Sequence, residues 1–193
     1  IRLMSINKKM KYDQTMDQHI KLLSLVLRHK PETIGITVAS EGRTNVQILL
    51  QQMIKHKHPL KFKELIELVK TNEKKRFQLS DDQILIRAVQ GHSTNQVLRE
   101  YTALQPPHIL YHGTATRFLD SILEQGLISG DRHHVHLSAE LNTAKQVGRR
   151  HGKVIIFTID TAEMLVDGFK FYQAENGVWL IHTIPIKYLT LLN

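Results

Sequence analysis

Two short segments hold four of the twelve histidines in the chain, next to glycine, threonine and serine. Residues 110–114 read Leu-Tyr-His-Gly-Thr, and residues 132–138 read Arg-His-His-Val-His-Leu-Ser. A neutral imidazole can both donate and accept a hydrogen bond, so these groups suit a polar organic ligand or a metal ion. Apolar runs end at His112 and cover Val135 to Leu137. We therefore expect a cleft at the ends of two strands, where Gly113 lets a ligand approach the backbone.

A metal site is the alternative for these histidines, because imidazole is a common ligand of zinc. In a strand, His134 and His136 would share one face, with His133 on the opposite face. The chain has no cysteine to complete a ligand set, and it has no HExxH pattern. The sequence therefore favours a polar organic ligand, and we expect no metal.

Length and composition are those of a globular protein with one large or two small domains. The 193 residues are 41% hydrophobic and 23% charged. The absence of cysteine excludes disulfides, zinc–thiolate sites and a cysteine nucleophile. No apolar run reaches the length of a membrane span, and the first residues lack the apolar core of a signal peptide. A cytoplasmic location, with no membrane contact, is the expectation.

The excess of positive charge is confined to the first half of the chain. Residues 1–107 contain 18 Lys and Arg against 10 Asp and Glu, whereas residues 108–193 contain eight of each. A solvated basic surface would account for this imbalance. A half that binds a polyanion, joined to a neutral half with another task, would account for it equally, and nucleic acid is the first candidate.

Apolar spacing predicts three helices in the first half, after a loose basic lead-in over residues 1–12. The first helix ends before Pro31, and the second follows a cap at Asn45. The third begins near Leu60, and two alternating runs around a polar turn then predict a β-hairpin. Three helices followed by a hairpin is the order of a winged-helix domain, a fold that commonly serves nucleic acids.

The second half is predicted to be α+β with a core rich in sheet. Pro106-Pro107 stiffens the junction and gives domains 1–107 and 108–193. A strand, a loop, a helix that stops at Gly126 and a second strand open this half. A further helix, a buried strand over 154–159 and three shorter strands follow.

Two features of the first half have two interpretations from their residue types alone. Arg28-His29-Lys30 closes the first helix, where cations suit the helix dipole, and it could instead form an anion pocket. Arg87 interrupts an apolar hairpin strand and could simply face solvent. Residue types alone favour the structural interpretation for both.

Seven blocks in their order make the chain resemble the NAD-dependent RNA 2′-phosphotransferase (tRNA 2′-phosphotransferase) family. The resemblance extends from about residue 17 to the C-terminus, and it rests on the order and completeness of the blocks rather than on any one of them. The blocks are residues 22–31, 86–93, 111–114, 126–127, 132–138, 147–152 and 175–180.

The resemblance implies a winged-helix lobe followed by an ADP-ribosyltransferase-like split β-sheet lobe. It also implies a reaction that removes an internal RNA 2′-phosphate by transferring it to NAD. Nicotinamide leaves as an ADP-ribosylated RNA 2′-phosphate forms. The ribose 2″-hydroxyl then attacks that phosphorus and yields 2′-OH RNA and ADP-ribose 1″,2″-cyclic phosphate. A monomer acting on RNA that carries a 2′-phosphate is expected.

The same resemblance assigns roles to individual residues. The catalytic set falls on Arg28, His29, Arg87 and Arg150. The residues that would seat the RNA are Lys30, Gly91, His92 and Ser93. The residues that would line the NAD cleft are His112, Gly113, Thr114, His136 and Ser138.

Three other positions bear on the mechanism. Val178 stands where protein-modifying ADP-ribosyltransferases carry a glutamate, and a phosphate nucleophile, already anionic, needs no such base. A residual role of the nearby Glu175 stays open. Arg43 stands where relatives often have an aromatic residue. We expect this difference to affect local packing or contact with RNA.

Two other functions are compatible with the sequence. One is an ADP-ribosyltransferase that caps terminal phosphates of RNA or DNA and stops after the first step. The other is a winged-helix nucleic-acid-binding protein with an inactive second lobe, and the intact histidines and arginines argue against it.

Overall fold

The computed structural model describes residues 2–192, with side chains from residue 12 onward. The chain divides into two compact units that meet between Glu100 and Tyr101. The sequence placed this boundary at Pro106-Pro107. The second unit begins earlier because the strand Ala103–Leu104 pairs within it.

The first unit contains three α-helices and three strands within its described part. In chain order they are α1 (Arg2–Arg28), β1 (Arg43–Asn45), α2 (Val46–Lys55), α3 (Phe62–Thr71), β2 (Phe77–Leu79) and β3 (Leu85–Ala88), with a 3-10 helix at Pro31–Ile34 after α1.

The helices of the first unit follow the predicted pattern except at the N-terminus. The loose lead-in predicted for residues 1–12 is wrong, since α1 begins at Arg2. Neither glycine nor proline interrupts the chain before Pro31, and Lys, Leu and Met favour helix. The predicted cap of α2 is confirmed, because the Asn45 side chain accepts hydrogen bonds from the backbone N–H groups of Gln47 and Ile48.

The strands of the first unit form one antiparallel sheet in the order β1-β3-β2. The hairpin of β2 and β3 was predicted, whereas β1 was not. Ile86 of β3 is fully buried and pairs with Thr44 of β1, so this face of the sheet packs on the core. The helices supply the rest of that core, which includes Leu23, Leu27, Leu49, Met53, Leu65 and Leu68.

The second unit contains nine strands and three α-helices within its described part. The strands are β4 (Ala103–Leu104), β5 (Ile109–Ala115), β6 (Leu127–Ile128), β7 (Val135–Leu137), β8 (Val154–Asp160), β9 (Phe171–Gln173), β10 (Trp179–Ile181), β11 (Thr183–Ile184) and β12 (Leu189–Leu192). The helices are α4 (Leu119–Gln125), α5 (Leu141–Arg149) and α6 (Thr161–Val166).

These strands form three antiparallel sheets, in the orders β4-β9-β10-β7, β12-β8-β5 and β11-β6. The expectation that a strand ends at His112, so that Gly113 and Thr114 lie beyond it, is wrong. All three lie inside β5, which pairs with β8 along seven residues from Ile109 to Ala115. His112 is therefore a mid-strand residue whose neighbours are set by the sheet.

The described part of the chain is thus a mixed α/β fold with six α-helices and several small antiparallel sheets. The core of the second unit is built from both larger sheets and includes Leu110, Phe157, Ile159, Phe171, Trp179 and Ile181. Within the described residues, no helix combines the length and the hydropathy that crossing a bilayer requires.

Candidate active site

The C-terminus of α1 is tied to the loop that follows β3. The carbonyl oxygen of Arg28 accepts hydrogen bonds from the backbone N–H groups of Ser93, at 2.8 Å, and Thr94, at 3.2 Å. These bonds satisfy a helix-end carbonyl that would otherwise lack a partner. Gly91 has a φ of +86°, a backbone conformation that residues with a side chain rarely adopt. This glycine brings the loop against the Arg28 guanidinium.

His29 is held by the same loop through its side chain. Its Nδ1 lies 2.8 Å from the Ser93 hydroxyl oxygen. This contact occupies Nδ1, so a proton exchange between His29 and a substrate would involve the other ring nitrogen, Nε2. The sequence predicted roles for both residues, and the structure brings them into direct contact.

Arg87 lies on the face of the sheet opposite Ile86, yet its exposed fraction is only 8%. Its Nε donates to Oε1 of Gln78 at 2.9 Å. Nη1 lies 3.9 Å from Oε2 of Glu41, whose side chain is largely exposed. Gln78 therefore fixes the plane of the guanidinium, and a fixed plane favours bidentate binding of an anion.

His92 and Lys30 complete the predicted RNA-binding residues of the first unit, and their environments differ. His92 is 4% exposed, and Gly42 leaves room for it, since a Cβ at residue 42 would lie 3.1 Å from Nε2 of His92. Lys30 is exposed immediately after α1. The first unit thus gathers Arg28, His29 and Ser93 into one bonded group, with Lys30 next to it in sequence.

In the second unit, β5 and β7 meet at the two histidine-rich segments. Nδ1 of His112 lies 3.0 Å from the carbonyl oxygen of His136. A carbonyl oxygen only accepts, so Nδ1 carries the proton and neutral His112 offers Nε2 as an acceptor. Burial lowers the pKa of His112 below its usual value, against the opposing effect of the His136 carbonyl. His112 is therefore a neutral hydrogen-bond acceptor near pH 7.

His136 is oriented by a contact that the sequence did not predict. Nη1 of Arg132 lies 2.7 Å from Nδ1 of His136. A guanidinium only donates, so this nitrogen accepts and the ring proton resides on Nε2. Ser138 exchanges two backbone hydrogen bonds with Tyr111, which fixes the end of β7 beside His112.

Gly113 makes room for a helix. A Cβ at residue 113 would lie 1.8 Å from the carbonyl oxygen of Ala144 in α5, and one at Gly148 would lie 2.8 Å from that of Thr114. The sequence interpretation, in which the missing side chain of Gly113 admits a ligand, is therefore corrected. The two glycines let α5 pack directly on β5, and Thr114 is buried beneath it.

Replacing Gly113 by alanine is expected to destabilise the second unit by about 3 kcal/mol or more, because neither backbone can retreat from the new methyl group. Thermal unfolding measures the effect. Gly130→Ala is the control, since its φ is +60° but nothing lies within 4 Å of the added Cβ. Equal unfolding midpoints for the two variants would contradict the packing described for α5.

The last proposed catalytic residue, Arg150, belongs to the second unit. It is the exposed C-cap of α5, where its charge also suits the helix dipole. Val178 and Glu175 lie in the turn between β9 and β10, in which the backbone N–H of Ala174 donates to the carbonyl of Val178. The structure thus places Arg28, His29 and Arg87 in the first unit and Arg150 in the second.

His134 lies just before β7 and differs from His136 in its surroundings. Its ring stacks on His182, with centroids 4.7 Å apart, and meets the edges of Tyr101 and Tyr172. Burial, aided by His182 and His133, lowers the pKa of His134 to about 4. His134 therefore stays neutral within this ring cluster.

Gln78 and Arg132 are the site residues that sequence reasoning missed. Gln78 could have been found from the hairpin, because the turn length sets a register that places it directly opposite Arg87. Arg132 stands four residues before His136, in a segment outside any helix or strand. No local pattern predicts that contact.

Comparisons with known proteins agree with the resemblance seen in the sequence blocks. The model of the RNA 2′-phosphotransferase, Tpt1 / KptA family matches residues 14–183. Proteins named "Probable RNA 2′-phosphotransferase" are similar to the chain. The one from Pseudomonas fluorescens is 54% identical over 89% of this chain and 94% of its own. Those from Pseudomonas aeruginosa and Escherichia coli are 48% and 49% identical, over 91% and 92% of this chain and 97% and 96% of their own. The chain therefore belongs to the RNA 2′-phosphotransferase, Tpt1 / KptA family.

Proposed function

We propose that the protein removes an internal 2′-phosphate from RNA by transferring it to NAD. The observation that carries this proposal is the bonded group at the end of α1, where Ser93 holds His29 beside Arg28. A histidine and an arginine fixed together can bind a phosphate and move a proton at it. Arg87, fixed by Gln78, would supply a second guanidinium. Arg150 of the second unit is assigned to the catalytic set by the resemblance alone.

The first unit is the proposed RNA-binding lobe, and we infer a winged-helix character for it. Three helices and a three-stranded antiparallel sheet support that assignment. Charge supports it too. The end of α2, the link that follows and the first turn of α3 expose six basic or titratable side chains within nine residues, together with Phe62. They are Lys55, His56, Lys57, His58, Lys61 and Lys63. Basic groups with an aromatic ring among them suit a single-stranded backbone.

The second unit is the proposed NAD-binding, ADP-ribosyltransferase-like lobe. Neutral His112 offers an acceptor at Nε2, which suits a ribose hydroxyl of the dinucleotide. His136, held by Arg132, offers a donor at Nε2. Thr114 and Ser138 are the further proposed contacts, while Gly113 positions α5. This neutral donor–acceptor pair fits an uncharged, hydroxyl-rich part of the co-substrate.

The proposed chemistry has two steps. An oxygen of the RNA 2′-phosphate bonds to the ribose carbon C1″ of NAD as the bond to nicotinamide breaks. The ribose 2″-hydroxyl then bonds to the phosphorus, loses its proton and displaces the RNA 2′-oxygen, which takes up a proton. No glutamate is needed at Val178, because the attacking phosphate is already anionic.

Incubation with an RNA that carries one internal 2′-phosphate, with and without NAD, tests the proposal. Loss of the 2′-phosphate and release of nicotinamide are expected only when both substrates are present. An RNA with a terminal phosphate serves as the comparison. If that RNA acquires ADP-ribose while the 2′-phosphate stays untouched, the protein is instead a terminal-phosphate ADP-ribosyltransferase.

Replacing His112 by alanine is expected to weaken NAD use by about 10-fold or more while RNA binding stays within twofold. The variant loses a partly buried acceptor and removes the donor that His112 supplies to the His136 carbonyl. Titration of NAD in a nicotinamide-release assay, alongside RNA binding without NAD, separates the two effects. Lost RNA affinity with unchanged NAD use would show that the division of labour is wrong.

A further inference from the structure

A further arginine of the first unit, Arg43, lies directly beside Arg87. Arg43 of β1 is the cross-strand partner of Arg87 in β3, which in turn is the partner of Gln78 in β2. Directly opposed residues project from the same face of a sheet, with Cβ atoms about 5 Å apart. Arg43, Arg87 and Gln78 therefore form one row across the sheet, on the face opposite Ile86.

Two carboxylates, those of Glu41 and Asp82, lie near the positive charge of this row. Like charges directly opposite each other destabilise a sheet. The Glu41 carboxylate is 3.9 Å from Arg87 Nη1, and its side chain is 57% exposed. The pKa of Asp82 is lowered chiefly by the hydrogen bonds that it accepts from the Ser80 hydroxyl and the backbone N–H of Ile84, and to a smaller extent by the charge of Arg43.

One guanidinium nitrogen of Arg43 has no hydrogen-bond acceptor among the described residues. Among the described residues, Nη1 of Arg43 is buried and makes no hydrogen bond. A buried guanidinium N–H without an acceptor is costly, and an anion bound there would remove that cost and the repulsion from Arg87 together. The row therefore has the features of a two-anion site.

An internal 2′-phosphorylated nucleotide carries two neighbouring anions. The ribose bears the 2′-phosphate on one oxygen and the 3′-phosphodiester on the next, whereas a terminal phosphate has no such neighbour. On the basis of the proposed function, we propose that Arg43 binds the 3′-phosphodiester while Arg87 binds the 2′-phosphate. The pair of arginines selects an internal 2′-phosphate over a terminal one.

The test uses two RNAs and the variant Arg43→Met, which keeps an unbranched apolar stem and removes the charge. One RNA carries the 2′-phosphate internally. The other ends at that nucleotide, with a 2′-phosphate and a 3′-hydroxyl. The variant is expected to raise KM about 10- to 100-fold for the internal RNA and less than twofold for the truncated one. Arg43→Lys should restore part of the loss.

The inference is tested by whether the effect of Arg43→Met on KM depends on the presence of the 3′-phosphodiester. Equal changes in KM for both RNAs, or no change for either, would overturn it, and unfolding midpoints reveal whether an equal change comes from damaged packing. If the wild-type protein processes neither RNA with NAD present, the proposed function fails instead. Equilibrium binding of the two RNAs to wild type and Arg43→Met then decides the role of Arg43 separately.

Discussion

Replacing His29 by alanine is expected to slow the second step of the proposed reaction about 10²–10⁴-fold and its first step by less than tenfold. Nicotinamide is a good leaving group once its positive charge is neutralised, so the first step needs little acid catalysis. The second step expels an RNA 2′-oxygen, which leaves poorly unless it receives a proton. Histidine is the side chain suited to that transfer near neutral pH, and Ser93 holds it at Nδ1.

A time course with end-labelled 2′-phosphorylated RNA measures both steps. ADP-ribosylated RNA should rise and persist in the His29→Ala variant, whereas the wild-type protein should convert it to 2′-OH RNA. His108→Ala is the matched control, because His108 is exposed and has no role in the proposed site. If the variant forms no ADP-ribosylated RNA, His29 belongs to the first step and its assignment as a proton donor fails.

Replacing Arg87 by lysine is expected to reduce kcat/KM for 2′-phosphorylated RNA by about 10²-fold or more. Lysine keeps the charge but loses the planar set of donors that binds a phosphate through two parallel hydrogen bonds. It also gives up the bond from Nε to Gln78, which orients the guanidinium. Steady-state kinetics on the RNA substrate measure the loss.

Two further variants make this result specific. Arg149→Lys makes the same change at an exposed residue in the last turn of α5, and it should alter kcat/KM less than twofold. Gln78→Leu removes only the orienting acceptor, so its effect should fall between the two. An Arg87→Lys protein as active as wild type would show that charge alone suffices at this position.

Local pattern was enough to predict the helices α2 to α5, the hairpin of the first unit and the buried strand β8, because apolar periodicity and caps determine them, whereas α6 was not predicted. Local pattern failed where a tertiary contact determines the conformation of a segment. His112-Gly113-Thr114 has the composition of a loop, but pairing with β8 and packing of α5 keep it in a strand. The start of α1 was placed too late, because a basic stretch without an apolar stripe still forms helix.

The candidate site was harder to predict from the sequence than the fold. For Arg28 and Arg87, residue types alone favoured a structural role, and only the resemblance gave them a phosphate to bind. The contacts that orient the site, from Gln78 to Arg87 and from Arg132 to His136, depend on how strands and loops meet. Of these, the contact of Gln78 follows from hairpin register and could have been predicted.

The most direct test of the proposed reaction follows the phosphorus atom itself. RNA labelled at a single internal 2′-phosphate is incubated with the protein and NAD, and the labelled products are identified by chromatography and mass spectrometry. We predict that the label leaves the RNA as ADP-ribose 1″,2″-cyclic phosphate, with one nicotinamide released for each phosphate transferred. Label released as inorganic phosphate without NAD, or retained on wild-type product RNA as an ADP-ribose adduct, would contradict transfer of the phosphate to NAD.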